Sequence, residues 1–172
     1  MDNHEIPDGS RAPHEVLDQL RSALAGVGSM GVRVNPSGRL AASLRVLEQV
    51  VSGERADPFE RSQAHLDSFQ LSEIGRYLLR EPSPGVVEKL RLLVSDPLVE
   101  PATTDATPGR DAQFELNLAA QFAAGDLAIS FEEPDFVVRE RLLSVGIASK
   151  RLRSAKQLDR RLNEARVSGQ VK

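Results

Sequence analysis

Glu133-Pro134-Asp135-Phe136-Val137-Val138, followed a short loop later by Gly146-Ile147-Ala148-Ser149-Lys150-Arg151, is the stretch on which the fold turns. Both segments read as strands, and side chains along a strand alternate between its two faces. On the second, Val145, Ile147 and Ser149 share one face, with Gly146, Ala148 and Lys150 on the other; on the first, Asp135 lies with Val137. An aspartate after a proline, set beside a lysine on the neighbouring strand, offers an oxygen ligand for a hard cation. The lysine adds a positive charge beside an attacked phosphate.

The pattern extends outward in both directions. Upstream, Leu127, Ile129 and Phe131 alternate as a further strand, preceded by a helix expected from about Asp111 to Ala124 and stopped by Gly125. Downstream, Ser154 with Gln157 three residues on is a capping-box pattern, opening a helix that carries Leu158, Leu162 and Ala165. Helix, three strands, helix is the order expected from Asp111 onward. From Lys150 to Arg166, seven basic residues stand against Asp159 and Glu164, a net of +5, so the rest of a chain whose net charge is −3 carries −8. A basic end on an acidic protein suits contact with a polyanion such as DNA.

Farther upstream the chain reads as helical. Val16, Leu17, Leu20 and Leu24 keep the rhythm of an amphipathic helix entered at Pro13. Asn35-Pro36 is expected to cap a second, with Leu40, Leu44, Leu47 and Val51 on one stripe. A third runs from about Phe59 to Arg80 with Leu66, Phe69, Ile74, Tyr77 and Leu78. Pro82 and Pro84 precede a fourth that turns Val87, Leu90, Leu93 and Val94 inward. Pro97 to Gly109, turn-rich and without periodicity, reads as a linker or long loop.

Composition narrows the classes. A chain of 172 residues suits one domain or two small ones. The absence of cysteine rules out disulfides and thiolate metal sites and fits a reducing compartment. No apolar run approaches the ~20 residues that span a bilayer. Met1 to Gly9 has no secretory pattern, so a cytoplasmic protein without membrane association is expected. Gly26-Val27-Gly28-Ser29-Met30-Gly31 matches a dinucleotide fingerprint in letters only, since it follows a helix rather than a strand. His4, His14 and His65 have no spacing for zinc.

The residues from Asp111 to Arg166, about a third of the chain, resemble the PD-(D/E)XK nuclease superfamily, the restriction-endonuclease-like fold. The resemblance leaves the helical region over residues 1–108 unexplained and implies a partial core of helix, three strands and helix over residues 109–172, so the chain as a whole is expected to be α+β or α/β. It implies a Mg²⁺-dependent deoxyribonuclease with Asp135, Lys150 and Glu115 as the catalytic set. Asp135, Glu115 and the Ser149 carbonyl would hold the metal, and Lys150 would position the attacking water. Arg151, Arg153, Lys156 and Arg160 would hold the DNA backbone.

Ala148 stands where that family carries aspartate or glutamate, and a methyl group ligates no metal. Either another carboxylate replaces it, Glu115 first and Glu133 second, or the fold persists as a non-catalytic scaffold. A helical protein-interaction module is the third reading. The family adds a fourth strand after its second helix, and Val167 to Lys172 is too short and polar to supply one. Either the chain is truncated there, or a protein partner or a second copy of the chain supplies the strand through an open sheet edge.

Overall fold

The computed structural model describes residues 12–98 and 108–149. Its order is α1 (Pro13–Ser29), α2 (Arg39–Val51), α3 (Pro58–Leu78), α4 (Pro84–Val94), α5 (Pro108–Ala124), β1 (Ala128–Ser130), β2 (Phe136–Glu140) and β3 (Leu143–Ile147). Among the described residues this is an α+β fold, with helices first and one small antiparallel sheet after them.

The helix starts follow from local chemistry. Proline occupies the first turn of α1, α3 and α4, where its fixed φ suits the helix and its missing N–H leaves nothing unsatisfied. The Asp57 carboxylate accepts from the N–H groups of Phe59 and Glu60 to cap α3, and the Ser83 hydroxyl accepts from Val86 to cap α4. At α2 the expectation fails. Asn35 Oδ1 accepts from the N–H and the hydroxyl of Ser37, closing a turn, and the helix begins only at Arg39.

The stripe expected on α3 is also rotated. Leu66 and Phe69 are exposed, while Ala64, Asp67, Ser68, Leu71, Ile74 and Leu78 are buried. The reason is polar. Ser68 donates to the Val16 carbonyl at 2.7 Å, and Asp67 enters a buried network, so both turn inward and carry the helix face with them. Gly75 facing Ala23 and Gly26 facing Leu79 keep nearly the same sequence offset as Ser68 and Val16, so α1 and α3 run side by side in one direction. Val51, expected on the inner stripe of α2, is exposed as well.

The buried network ties four parts together. Arg39 donates through Nε to Asp96 at 2.9 Å, through Nη2 to Gln113 at 2.5 Å, and through Nη1 to Asp67. Ser43 donates to the second Asp67 oxygen at 2.7 Å, and Gln113 donates to Asp67 and Gln70. Gly109 at the start of α5 presses on Asp96 so closely that a Cβ would lie 2.5 Å from the Asp96 side chain. Around this polar centre one apolar core runs from Val16 on α1 through Leu90 on α4 and Leu116 on α5 to Phe136 and Val138 on β2.

The three strands expected to be adjacent are adjacent, in the order β1-β2-β3. Ile129 pairs with Val138, and Phe136 pairs with Ile147. The last strand sits earlier in the chain than expected, ending at Ile147 rather than Arg151. A two-residue turn sets this: Glu140 pairs with Leu143, leaving Arg141 and Leu142 between them, with Arg141 at φ 49° as such hairpins demand. Phe136, fully buried, has its ring 6.0 Å from that of Phe122 on α5 and 5.9 Å from that of Phe131. The sheet is thereby pinned to α5. The expected helix from Ser154 lies outside the described residues.

Candidate functional site

The register of β2 against β3 decides what meets at the open end of the hairpin. Asp135 immediately precedes β2, and Ser149 follows two residues after β3, so antiparallel pairing brings them together. Asp135 Oδ2 accepts from the Ser149 backbone N–H at 2.5 Å and from its hydroxyl at 3.2 Å. The alternation read from the sequence persists past the strand end: Ser149 is buried and Ala148 is exposed. Lys150, next in the chain, lies outside the described residues, as do Arg151, Arg153, Lys156 and Arg160.

Glu115 sits on the inner side of α5 with only 13% of its side chain exposed. Its carboxylate is paired with the ammonium of Lys89 on α4, itself 27% exposed. α4 and the chain from Phe131 to Asp135 enclose a pocket of about 270 Å³, lined by Gly85, Glu88, Lys89 and Leu92 on one side. Glu132, Glu133, Pro134 and Asp135 line the other. The close approach depends on Gly85, where a Cβ would lie 2.5 Å from the Phe131 Cβ. Asp135 and the Lys89–Glu115 pair therefore belong to one neighbourhood. At its rim, Arg139 is bound to Glu132, and Ser130 donates to Glu132 at 2.5 Å. The Ser130 hydrogen bond first, then Arg139, holds the Glu132 carboxyl below its ordinary range.

These contacts bear on the Mg²⁺ expected from the resemblance. Mg²⁺ requires octahedral oxygen ligation at short range. Here Glu115 has its charge answered by an ammonium, and Asp135 Oδ2 is engaged by two Ser149 donors. Among the described residues, no three His, Asp or Glu side chains are grouped to hold a metal. In this arrangement the donors do not suit the ion.

Two features were missed from the sequence. Lys89 belongs to no motif, and it stands 26 residues before its partner Glu115. The signal was its place beside Val86, Leu90 and Leu93 at the margin of the buried face of α4. The Arg39 network was announced only by Asp67 and Gln113, polar residues in phase with apolar ones on α3 and α5. No helix of the described residues is long and apolar enough to cross a membrane. Comparison with family models, with curated proteins and with solved structures finds no match to this chain.

Proposed function

We propose that this chain is a nuclease-like scaffold that binds DNA without cutting it, gripping the backbone through the basic run from Lys150 to Arg161. The observation that carries the reading is the Lys89–Glu115 ion pair. With Ala148 in the place of the second strand carboxylate, Glu115 is the first substitute, and its charge is already neutralised from within the protein. Asp135 then remains as a single strand carboxylate, too little for a hard cation. Holding DNA needs no metal. Arg151, Arg153, Lys156 and Arg160 would each displace condensed counterions from a phosphate they neutralise.

A labelled duplex titrated with protein across a salt series tests this. Retention should weaken as salt rises. The Arg153→Ala, Lys156→Ala, Arg160→Ala triple variant should flatten the log–log slope by about 0.9 for each phosphate it no longer neutralises. Absence of retention at low salt would remove the reading's support.

A second reading, a Mg²⁺-dependent deoxyribonuclease using Asp135, Lys150 and Glu115, is favoured by the pair of hydrogen bonds from Ser149 to Asp135. They tie the residue before Lys150 to the motif aspartate. This reading needs Glu115 released from Lys89, and it expects wild-type cutting to be lost equally in Asp135→Asn and Glu115→Gln.

A further inference from the structure

We infer that Lys89 is the built-in cation of the pocket between α4 and the sheet, and that its ammonium closes this pocket to divalent metal ions. Four carboxylates line the pocket, those of Glu88, Glu132, Glu133 and Asp135, and among the described residues Lys89 is the one basic group in its lining. A fifth carboxylate, Glu115, lies in direct ion-pair contact with that ammonium and is mostly buried. Of these, Glu88, Glu132 and Glu133 are exposed and Asp135 is half-buried, so the carboxylate that most needs a compensating cation is the mostly buried Glu115. Two compensations are peripheral: Arg139 holds Glu132 at the rim, and the Ser149 donors hold one oxygen of Asp135. The inner one is Lys89.

A covalently attached ammonium has two consequences. It brings its charge to the pocket without the entropy cost of capturing a free ion. It also repels any second cation within a few ångströms, where the interaction is screened far less than in bulk water. The helical region thus completes the site chemically: α4 supplies the charge that a metal would supply in a nuclease of the resembled type.

The inference rests on the reading of Asp135 and Glu115 as the remains of a metal site, and its test is separate from DNA binding. Mn²⁺ chloride alone is titrated into the full chain, with heat of binding and melting temperature as readouts. Wild type should show neither heat nor a raised melting temperature. Lys89→Gln keeps a donor for Glu115 but loses the charge, and it should show both heat of Mn²⁺ binding and a raised melting temperature, in keeping with removal of a nearby unit charge. Adding Glu115→Gln or Asp135→Asn to Lys89→Gln should abolish that gain. Lys89→Arg, which retains the charge, should behave as wild type. Should Lys89→Gln lose stability, Mn²⁺ should restore it, because a ligand of the folded state raises its apparent stability.

Equal Mn²⁺ affinity in wild type and Lys89→Gln overturns the inference, as does a Lys89→Gln protein that Mn²⁺ neither binds nor restores. Neither outcome affects wild-type DNA retention. Loss of that retention, with the metal results as expected, would instead remove the DNA-binding function while leaving Lys89 in its role.

Discussion

Two places in this protein set carboxylates against a cation, and they differ in how completely they are closed. Arg39 lies 5% exposed among α2, α3, α5 and the end of α4, where Asp67, Asp96 and Gln113 all accept from its guanidinium. Ser43 takes up the remaining Asp67 oxygen. A planar fork of donors suits this enclosure, because Nε and both Nη nitrogens each find a buried acceptor. Lys89 and Glu115 have the same charges but sit beside a pocket, partly exposed and surrounded by further carboxylates. Completeness marks the first as structural. Its openness to a pocket sets the second apart.

The sharpest way to break this distinction is to remove each cation. Arg39→Leu leaves two buried aspartates without their partner and should cost about 3–5 kcal/mol, read from the urea midpoint. Lys89→Met, at a pair with more access to water, should cost less, roughly 1–2 kcal/mol. Equal losses would mean that the Lys89 pair is as much a part of the core as the Arg39 network.

A smaller effect sharpens the account of how the hairpin aligns Asp135 with Ser149. Arg141 adopts a positive φ in the two-residue turn, a conformation that glycine adopts freely. Arg141→Gly should therefore leave the register intact and raise stability by up to about 1 kcal/mol, after the greater flexibility of the unfolded chain is offset. A loss of stability would contradict the turn that sets the β2–β3 pairing.

The smallest effect lies at the pocket rim. The hydrogen bond from Ser130, and then Arg139, depress the Glu132 carboxyl in the folded protein. A carboxyl depressed on folding contributes stability that is complete above its unfolded pKa and is lost as pH falls through its folded value. Ser130→Ala or Arg139→Ala should raise the Glu132 titration toward its ordinary 4.5 in a carboxyl-detected NMR experiment. Stability should then fall less steeply below that pH. An unchanged titration would mean that the rim contacts do not act on Glu132.

Legibility in the sequence followed the range of the interactions. Strand alternation, which spans a few residues, put Ser149 and Ala148 on opposite faces, and the expected neighbours β1, β2 and β3 are adjacent. Proline signals at Pro13 and Pro84 located the starts of α1 and α4. Where a polar residue turned inward, apolar periodicity misled. Asp67 and Ser68 rotated α3 away from Leu66 and Phe69, because partners on α1 and α2 satisfied them. Asn35 closed a turn instead of capping α2, since its oxygen found Ser37 first. The capture of Glu115 by Lys89 depends on how α4 packs against α5, and no local pattern encodes that.

On the proposed reading, the pocket lined by Asp135 and Lys89, with Glu115 paired to Lys89, is closed to the metal that strand cleavage would need. Supercoiled plasmid incubated with wild-type protein and Mg²⁺ or Mn²⁺, at a salt concentration where DNA is retained, tests it most directly. The expected result is bound but intact plasmid, indistinguishable from that with Asp135→Asn. Metal-dependent nicking by wild type that disappears in both Asp135→Asn and Glu115→Gln would contradict the claim and establish the nuclease.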